Sequence, residues 1–471
     1  MLKYVSLLLI SLSLGHLNAQ TDGFTLKQCI EYAWMNNLDV RQYILNTKST
    51  ELDAKQARLA MLPSVNTSAG QNYQFGRTID RFTNTFINQT IRTNNFSLNA
   101  SVMLYSGMQN INNIKSKDLL NTSNEESIQT IKNQIALSIS AAFLQAIQAE
   151  ENIKNAQFQI ESTKTRIERA QKLVDVGTTD LSALLSLKAQ LANEELNLVT
   201  AENSKASAII NLKTLMQMPV ESELNLSIPE IGEEIPANTF TATEIYQLAL
   251  GNMPQVKSAE MQYQSSIYQA KYTHGFMAPS ISLYGNISTV YSQSAKTITG
   301  VTQTGTQPIG YTQTNNETVL QPTFSYNTQT IDFSKQLRDN LGQSLGLSMS
   351  WTLFNGFQIH NQYQKAKIQI QSSEINLLKI KNTLLNDIQI AITNYNSALA
   401  RYQAAKNNID AQKLSLDYVQ KRYDAGASTS FDFIQAKNSY LQAQSSETQA
   451  RYELLFRALI LEYYQGKPIQ F

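Results

Sequence analysis

Two periodicities alternate along the chain, and each predicts a different element. Between Met108 and Val176, and again between Phe357 and Ala425, neither proline nor glycine occurs, and apolar residues recur every seven positions. In the later stretch the row is Ile388, Tyr395, Tyr402, Ile409, Leu416 and Tyr423; in the earlier one it is Ile139, Ala146, Ile153, Ile160, Ile167 and Val174. A second row, three residues on, is alanine: Ala142, Ala149 and Ala156, then Ala391, Ala398 and Ala405. Spacings of three and four with a period of seven make a left-handed coiled-coil stripe, and alanine lets neighbouring helices approach closely. The pattern predicts long helices over about 108–176 and 357–425, each roughly 100 Å at 1.5 Å per residue. Gly177 and Gly426 end them, and the polar residues that follow, Thr178 to Asp180 and Ser428 to Ser430, suit the N-caps of return helices.

Four other segments switch to a period of two. From Ser344 to Leu353, Leu345, Leu347, Met349, Trp351 and Leu353 fall on one face, and Ser344, Gly346, Ser348, Ser350 and Thr352 on the other. In its counterpart Phe96, Leu98, Ala100, Val102 and Leu104 alternate with Asn95, Ser97, Asn99 and Ser101. Weaker alternation precedes each. The pattern predicts strands over about 64–75, 95–104, 280–291 and 344–354. About ten residues of apolar-out, polar-in alternation is the length and pattern of a transmembrane β-strand, although half-buried strands of soluble sandwiches alternate too. Beside helices of roughly 100 Å a sandwich is a poor fit. A four-stranded sheet cannot sit in hydrocarbon alone, because its edges leave backbone groups unsatisfied. Several copies must close one barrel: two would give eight strands, three twelve and four sixteen. The connections at 76–94 and 292–340 are polar and are expected to be solvated loops on the outer face of such a barrel.

The chain is also a duplication. Ala33, Val40, Ala54, Pro63 and Ser64 return as Ala249, Val256, Ala270, Pro279 and Ser280; Gly107 and Gly177 return as Gly356 and Gly426. The expected organisation is a first repeat over 20–218, a proline-containing linker over 219–240 and a second repeat over 241–471. Residues 1–19, with Lys3, an apolar run from Val5 to Leu14 and the small residue Ala19, read as a secretory signal peptide.

Composition narrows the chemistry. Of 471 residues, 38 are Lys or Arg and 37 Asp or Glu, a net charge of +1, which gives no electrostatic reason to expect nucleic acid. The single cysteine, Cys29, excludes a disulfide framework, and three scattered histidines offer no metal-ligand spacing. No nucleotide loop or nucleophile elbow is present, and acidic pairs such as Glu194-Glu195 lie on helices as solvated faces. No cofactor and no catalysis are expected. Beyond the signal, no stretch reaches the ~18 apolar residues of a membrane helix, which excludes a helical inner-membrane transporter.

The order of helix, Leu62-Pro63-Ser64, strand, loop, strand, Leu104-Tyr105-Ser106-Gly107, long helix, Gly177 and return helix recurs with Ala278-Pro279-Ser280, Leu353-Phe354-Asn355-Gly356 and Gly426. In this the chain resembles the TolC-like outer-membrane efflux protein family. The resemblance implies a homotrimer with a 12-stranded outer-membrane β-barrel, four strands per chain, on a long periplasmic α-helical barrel. It implies an exit duct for a tripartite efflux pump or type I secretion system, energised by an inner-membrane pump through a periplasmic adaptor protein. It also implies a periplasmic gate. Tyr423 matches the family's gating tyrosine and Asp432 an aspartate that rings the entrance, where three carboxylates would select for cations. Ser428 stands where the family has an arginine, with Arg422 or Lys421 as substitutes, and Ala183 stands where a partner aspartate is expected. Gly177 and Gly426 mark the tips that would meet the adaptor. The simpler readings are that Tyr423 continues the heptad and packs, and that Asp432 is a first-turn acid favoured by the helix dipole. The competing reading of the whole chain is an exported coiled-coil or adhesin stalk, which accommodates the helices and leaves the strand hairpins without a role.

Overall fold

The computed structural model describes residues 23–79, 86–178, 180–227 and 240–467; the expected signal peptide and positions 228–239 of the linker lie outside the described residues. In chain order the first copy has α1 (Leu26–Asn36), α2 (Leu38–Leu59), β1 (Ser64–Gln74), β2 (Arg77–Ile79), β3 (Phe86–Asn88), β4 (Ile91–Ser106), α3 (Gln109–Asp175) and α4 (Leu181–Met216). The second has α5 (Ala242–Asn252), α6 (Pro254–Gly275), β5 (Ser280–Ser292), β6 (Lys296–Tyr311), β7 (Thr318–Thr330), α7 (Phe333–Asp339), β8 (Gly342–Ser350), α8 (Gln358–Asp424) and α9 (Ser430–Tyr464). The duplication is visible in the lengths: α1 and α5 have 11 residues each, α2 and α6 have 22, and α3 and α8 have 67. At 1.5 Å per residue the long helices measure about 100 Å.

The compact units do not follow the two repeats. One gathers Met1–Glu51, Leu119–Gln264 and Gln371–Phe471; the other gathers Leu52–Asp118 and Ser265–Ile370. Corresponding parts of the two copies pack with each other, so both repeats contribute to both units.

The first unit is helical and has two cores built from corresponding helices of the two copies. In one, Leu26, Cys29, Ile30 and Ala33 of α1 and Val40 of α2 pack against Ile139, Ala142 and Phe143 of α3 and Leu212 and Met216 of α4. In the other, Ile245 and Ala249 of α5 and Val256 of α6 pack against Ile388, Ala391 and Tyr395 of α8 and Leu454 and Leu461 of α9. The alanine rows let these helices close up, as the heptads require. The first helix of each core, α1 and α5, starts on a capping box, Thr25 with Gln28 and Thr241 with Glu244. Cys29 is fully buried, and burial pushes its thiol up to about 12.

The second unit carries a four-stranded antiparallel sheet in the order β1-β4-β5-β8. Its register places opposite residues on one face: Val65 with Ala100, Thr67 with Leu98, Leu98 with Ile287, Val102 with Leu283, Leu283 with Leu347, and Ile281 with Met349. Leu345, Leu347 and Met349 on this face are 64–78% exposed. The other face is hydroxyl and amide. Ser68 meets Ser97 at 2.8 Å, Ser64 meets Ser101 at 3.1 Å, and Asn286 donates to Asn99 at 2.6 Å. The ring of Tyr284 lies over Gly346, where a Cβ would come within 2.6 Å of the phenol oxygen. A sheet with an exposed aliphatic band on one face and a neutral polar face on the other is what a lipid-facing barrel wall requires.

The structure departs from the sequence expectation at the connections. Residues 292–340 are not an open loop. β6 and β7 pair as a long hairpin, and α7 follows it. β6 contains three register shifts, after Ile298, Gln303 and Pro308. The residues it aligns with Thr328, Tyr326, Phe324, Pro322, Leu320 and Thr318 are therefore Ile298, Val301, Gln303, Thr306, Pro308 and Tyr311. Each bulge moves the face by one residue, which erases a period of two from the sequence. In the other connection β2 and β3 pair over three residues each. β4 extends to Ile91, beyond the predicted 95, and β8 stops at Ser350, before Trp351 to Leu353.

Candidate functional site at the helix-turn tips

The two turns that join the long helices to their return helices are built alike. Gly177 has φ 75° and Gly426 has φ 73°, left-handed values that glycine adopts without a Cβ clash. The Gly426 N–H donates to the Tyr423 carbonyl at 2.9 Å and the Ala427 N–H to the Arg422 carbonyl at 2.8 Å. The Gly177 and Thr178 N–H groups do the same to Val174 and Leu173, both at 2.9 Å. This is a Schellman closure, which satisfies the last carbonyls of a helix. Among the described residues, nothing beyond the adjoining chain lies within 4 Å of the place a Cβ would occupy at either glycine, so both tips stand open.

Beyond the second turn the cap is reciprocal. The Asp432 N–H donates to Thr429 Oγ1 at 3.2 Å, and Asp432 Oδ2 accepts from the Thr429 N–H at 3.0 Å, the Thr429 hydroxyl at 2.7 Å and the Ser428 hydroxyl at 3.2 Å. These bonds, Thr429 first and the Arg422 charge last, hold the Asp432 carboxyl below its ordinary value of 3.8. In the first copy Asp180 caps α4 from the N-cap position itself and accepts from Ser182; the third helical residue is Ala183, so no reciprocal bond forms. Asp175 accepts from Gln171 on its own helix.

Tyr423 stacks on Phe433 of the return helix, with ring centroids 5.5 Å apart and planes 16° apart, and stays 40% exposed. Arg422 Nη2 donates to the Ala427 carbonyl at 3.0 Å, inside its own turn. Lys421 pairs with Asp417 one turn back. The structure thus brings Arg422, Tyr423, Gly426 and Asp432 into one turn, with Ser428 bonded to Asp432 where the resemblance implies an arginine. Gly177 belongs to the other turn. Phe433 and a polar ladder between α3 and α9 go beyond what the sequence pattern predicts. Gln449 donates to Asn152 at 2.9 Å, Asn155 bonds Ser445, Gln159 donates to Gln442 at 3.4 Å, and Asn438 bonds Ser162. Arg166 closes the ladder over the ring of Phe431, 5.9 Å from its centroid. The signal for the ladder was the recurrence of Asn, Gln and Ser at steps of three and four on both helices.

The chain matches known proteins over almost its whole length. Residues 29–216 and 245–464 match the outer membrane efflux protein family. The chain belongs to this family. The outer membrane protein TolC of Escherichia coli (strain K12) is 20% identical over 460 residues, 96% of this chain and 84% of that protein. The alkaline protease secretion protein AprF of Pseudomonas aeruginosa is 19% identical over 342 residues, 73% of this chain and 63% of that protein. Among solved structures, CusC, described for its transmembrane channel formation, superposes with a TM-score of 0.70 at 16% identity, covering 94% of this chain and 92% of CusC. The fold is that of the TolC-like trimeric channels, a helical barrel joined to a β domain. As a member of the family the chain is an outer-membrane protein.

Proposed function

We propose that three copies of this chain form the exit duct of an efflux pump or secretion system, a passive path from periplasm to exterior. The observation that carries the proposal is the four-stranded sheet with one exposed aliphatic face and one neutral polar face. Alone its edges β1 and β8 are unpaired; closed with two further copies it makes twelve strands with no edge. Exposed apolar residues on the long helices, among them Ile368, Ile375 and Leu414 of α8 and Leu185, Leu196 and Val199 of α4, support lateral contact between copies. The family acts as homotrimers with adaptor and inner-membrane pump partners. The tips at Gly177 and Gly426 are the surfaces proposed for the adaptor. Transport here needs no bond-making step, and the driving force is assigned to the inner-membrane partner.

Tyr423 and Asp432, with Arg422, are proposed to narrow the periplasmic entrance. The Tyr423 stack on Phe433, the Asp432 bonds to Ser428 and Thr429 and the Arg422 bond to the Ala427 carbonyl hold the second turn as a cap, and three such caps about an axis would set the aperture. Tyr423→Phe combined with Asp432→Asn is expected to raise single-channel conductance. Unchanged conductance would leave the pair as packing and capping residues. The stalk reading is separated by deleting residues 344–353. A duct loses membrane insertion and export, while a stalk keeps its helical assembly.

A further inference from the structure

The outer rim of the sheet carries a feature that the duct itself does not use. β1, β4, β5 and β8 meet the long helices at one end and the hairpin connections at the other. At the hairpin end, α7 lies on the same face as Leu98 and Leu283, the face directed at lipid. Phe333 packs edge-on against Phe96, with ring centroids 6.3 Å apart, and at a tilt against Tyr291, with centroids 5.0 Å apart. The buried Gln336 accepts from the Ser292 N–H at 2.9 Å and donates to the Ser292 and Ile331 carbonyls at 3.1 and 2.8 Å. The Thr289 hydroxyl donates to the Leu337 carbonyl at 2.8 Å, and Asn340 donates to the Val290 carbonyl at 2.7 Å. The helix is thus fixed by its 333, 336, 337 and 340 positions.

Its opposite face is exposed and presents Lys335 and Arg338, three residues apart and therefore neighbours. None of the ion pairs among the described residues includes either of them. Asp332 and Asp339 flank the helix at its ends. A third cation, Arg92, lies over the ring of Tyr291 at 5.5 Å on the same face of the sheet. From Ile281 to Tyr291 the strand climbs roughly 33 Å, or about 25 Å of membrane at a tilt near 40°, so α7 stands at the level of the outer headgroups. Aromatic side chains mark that level, Tyr73, Phe75, Tyr291 and Phe333, as Trp351 and Phe354 do at the other end.

We propose that α7 and Arg92 form a binding site for the phosphate of an anionic lipid in the outer leaflet, with Lys335 and Arg338 gripping the phosphate and Phe333 lying along the acyl chains. Charge complementarity and continuity both favour a lipid phosphate here: the basic face begins where the lipid-facing band ends. This inference rests on the outer-membrane reading of the sheet.

The test uses the full-length trimer in detergent, with diphosphorylated lipid A as the probe and native mass spectrometry as the readout. Lipid is expected to stay bound, and Lys335→Gln with Arg338→Gln to weaken it by roughly 30-fold. Dephosphorylated lipid A should bind no better to the native chain than to the variant. Inorganic phosphate at millimolar concentration should fail to displace the lipid. Lys335→Glu with Arg338→Glu should abolish binding while the trimer persists. Equal binding of phosphorylated and dephosphorylated lipid, or unchanged binding by the double variant, overturns the proposal, and displacement by free phosphate overturns the lipid as its ligand. Conductance of the same variants separates the two readings. A variant that conducts as the native channel does leaves the duct intact whatever the lipid result, and absence of conductance in both counts against the duct.

Discussion

Thr429 does more for the tip than an exposed threonine ordinarily would. Its hydroxyl accepts from the Asp432 N–H and donates to the Asp432 carboxylate, so both residues depend on it. Thr429→Ala should cost about 1 kcal/mol of local helix stability. It should also let the Asp432 carboxyl rise toward 3.8, which an NMR titration of that carboxyl reads directly. The sign follows from the direction of the shift. A carboxyl lowered in the folded state contributes stability above its unfolded value, and the contribution is lost as pH falls through the folded value. Cys29 gives a second test at this scale. Buried and pushed up to about 12, it should resist a thiol reagent at pH 8 in the native protein and react once the chain is unfolded. Labelling of the native protein at the unfolded rate would contradict the packing of α1. At the tip the sequence carried half of the information. Thr429 and Asp432 have the spacing of a capping box, and Tyr423 falls on the heptad, but the stack on Phe433 depends on how the return helix leaves the turn.

At the scale of elements the two copies make an internal control. Gly107 and Gly356 occupy corresponding turns with φ of 60° and 64°. At Gly107 a Cβ would meet the Gly275 carbonyl oxygen at 2.4 Å, whereas at Gly356 nothing lies within 4 Å. Gly356→Ala should therefore cost only the left-handed strain, about 1–2 kcal/mol. Gly107→Ala should cost clearly more, because backbone must move, and thermal unfolding of the two variants compares them. Equal losses would contradict the close approach at Gly275. The long helices and the four main strands were legible because one period persists over many residues: seven through α3 and α8, two through β4 and β8. The hairpin was not, because three bulges in β6 shift its period and its Thr- and Gln-rich composition resembles solvated loop. α7 was hidden for another reason. Seven residues are too few to show a helical period, and what fixes it, Gln336 and Phe333, are contacts to strands distant in sequence.

For the whole molecule, the chain has two faces that it does not satisfy alone: the aliphatic side of the sheet and the apolar rows on α4 and α8. Three copies in a bilayer satisfy both. Purified chain should require detergent and run as a heat-sensitive trimer, and its circular dichroism should show helix together with sheet. Leu347→Arg, near the centre of the apolar face, should cost roughly 2–4 kcal/mol and reduce recovery from the outer membrane. Normal recovery of Leu347→Arg would show that this face does not meet acyl chains. The central claim, that three chains enclose a continuous path through the outer membrane, is met most directly by single-channel recording of the purified trimer in a planar bilayer. Discrete steps of uniform conductance that disappear when residues 344–353 are deleted are the predicted result. A protein that stays dissolved without detergent and produces no steps would contradict it.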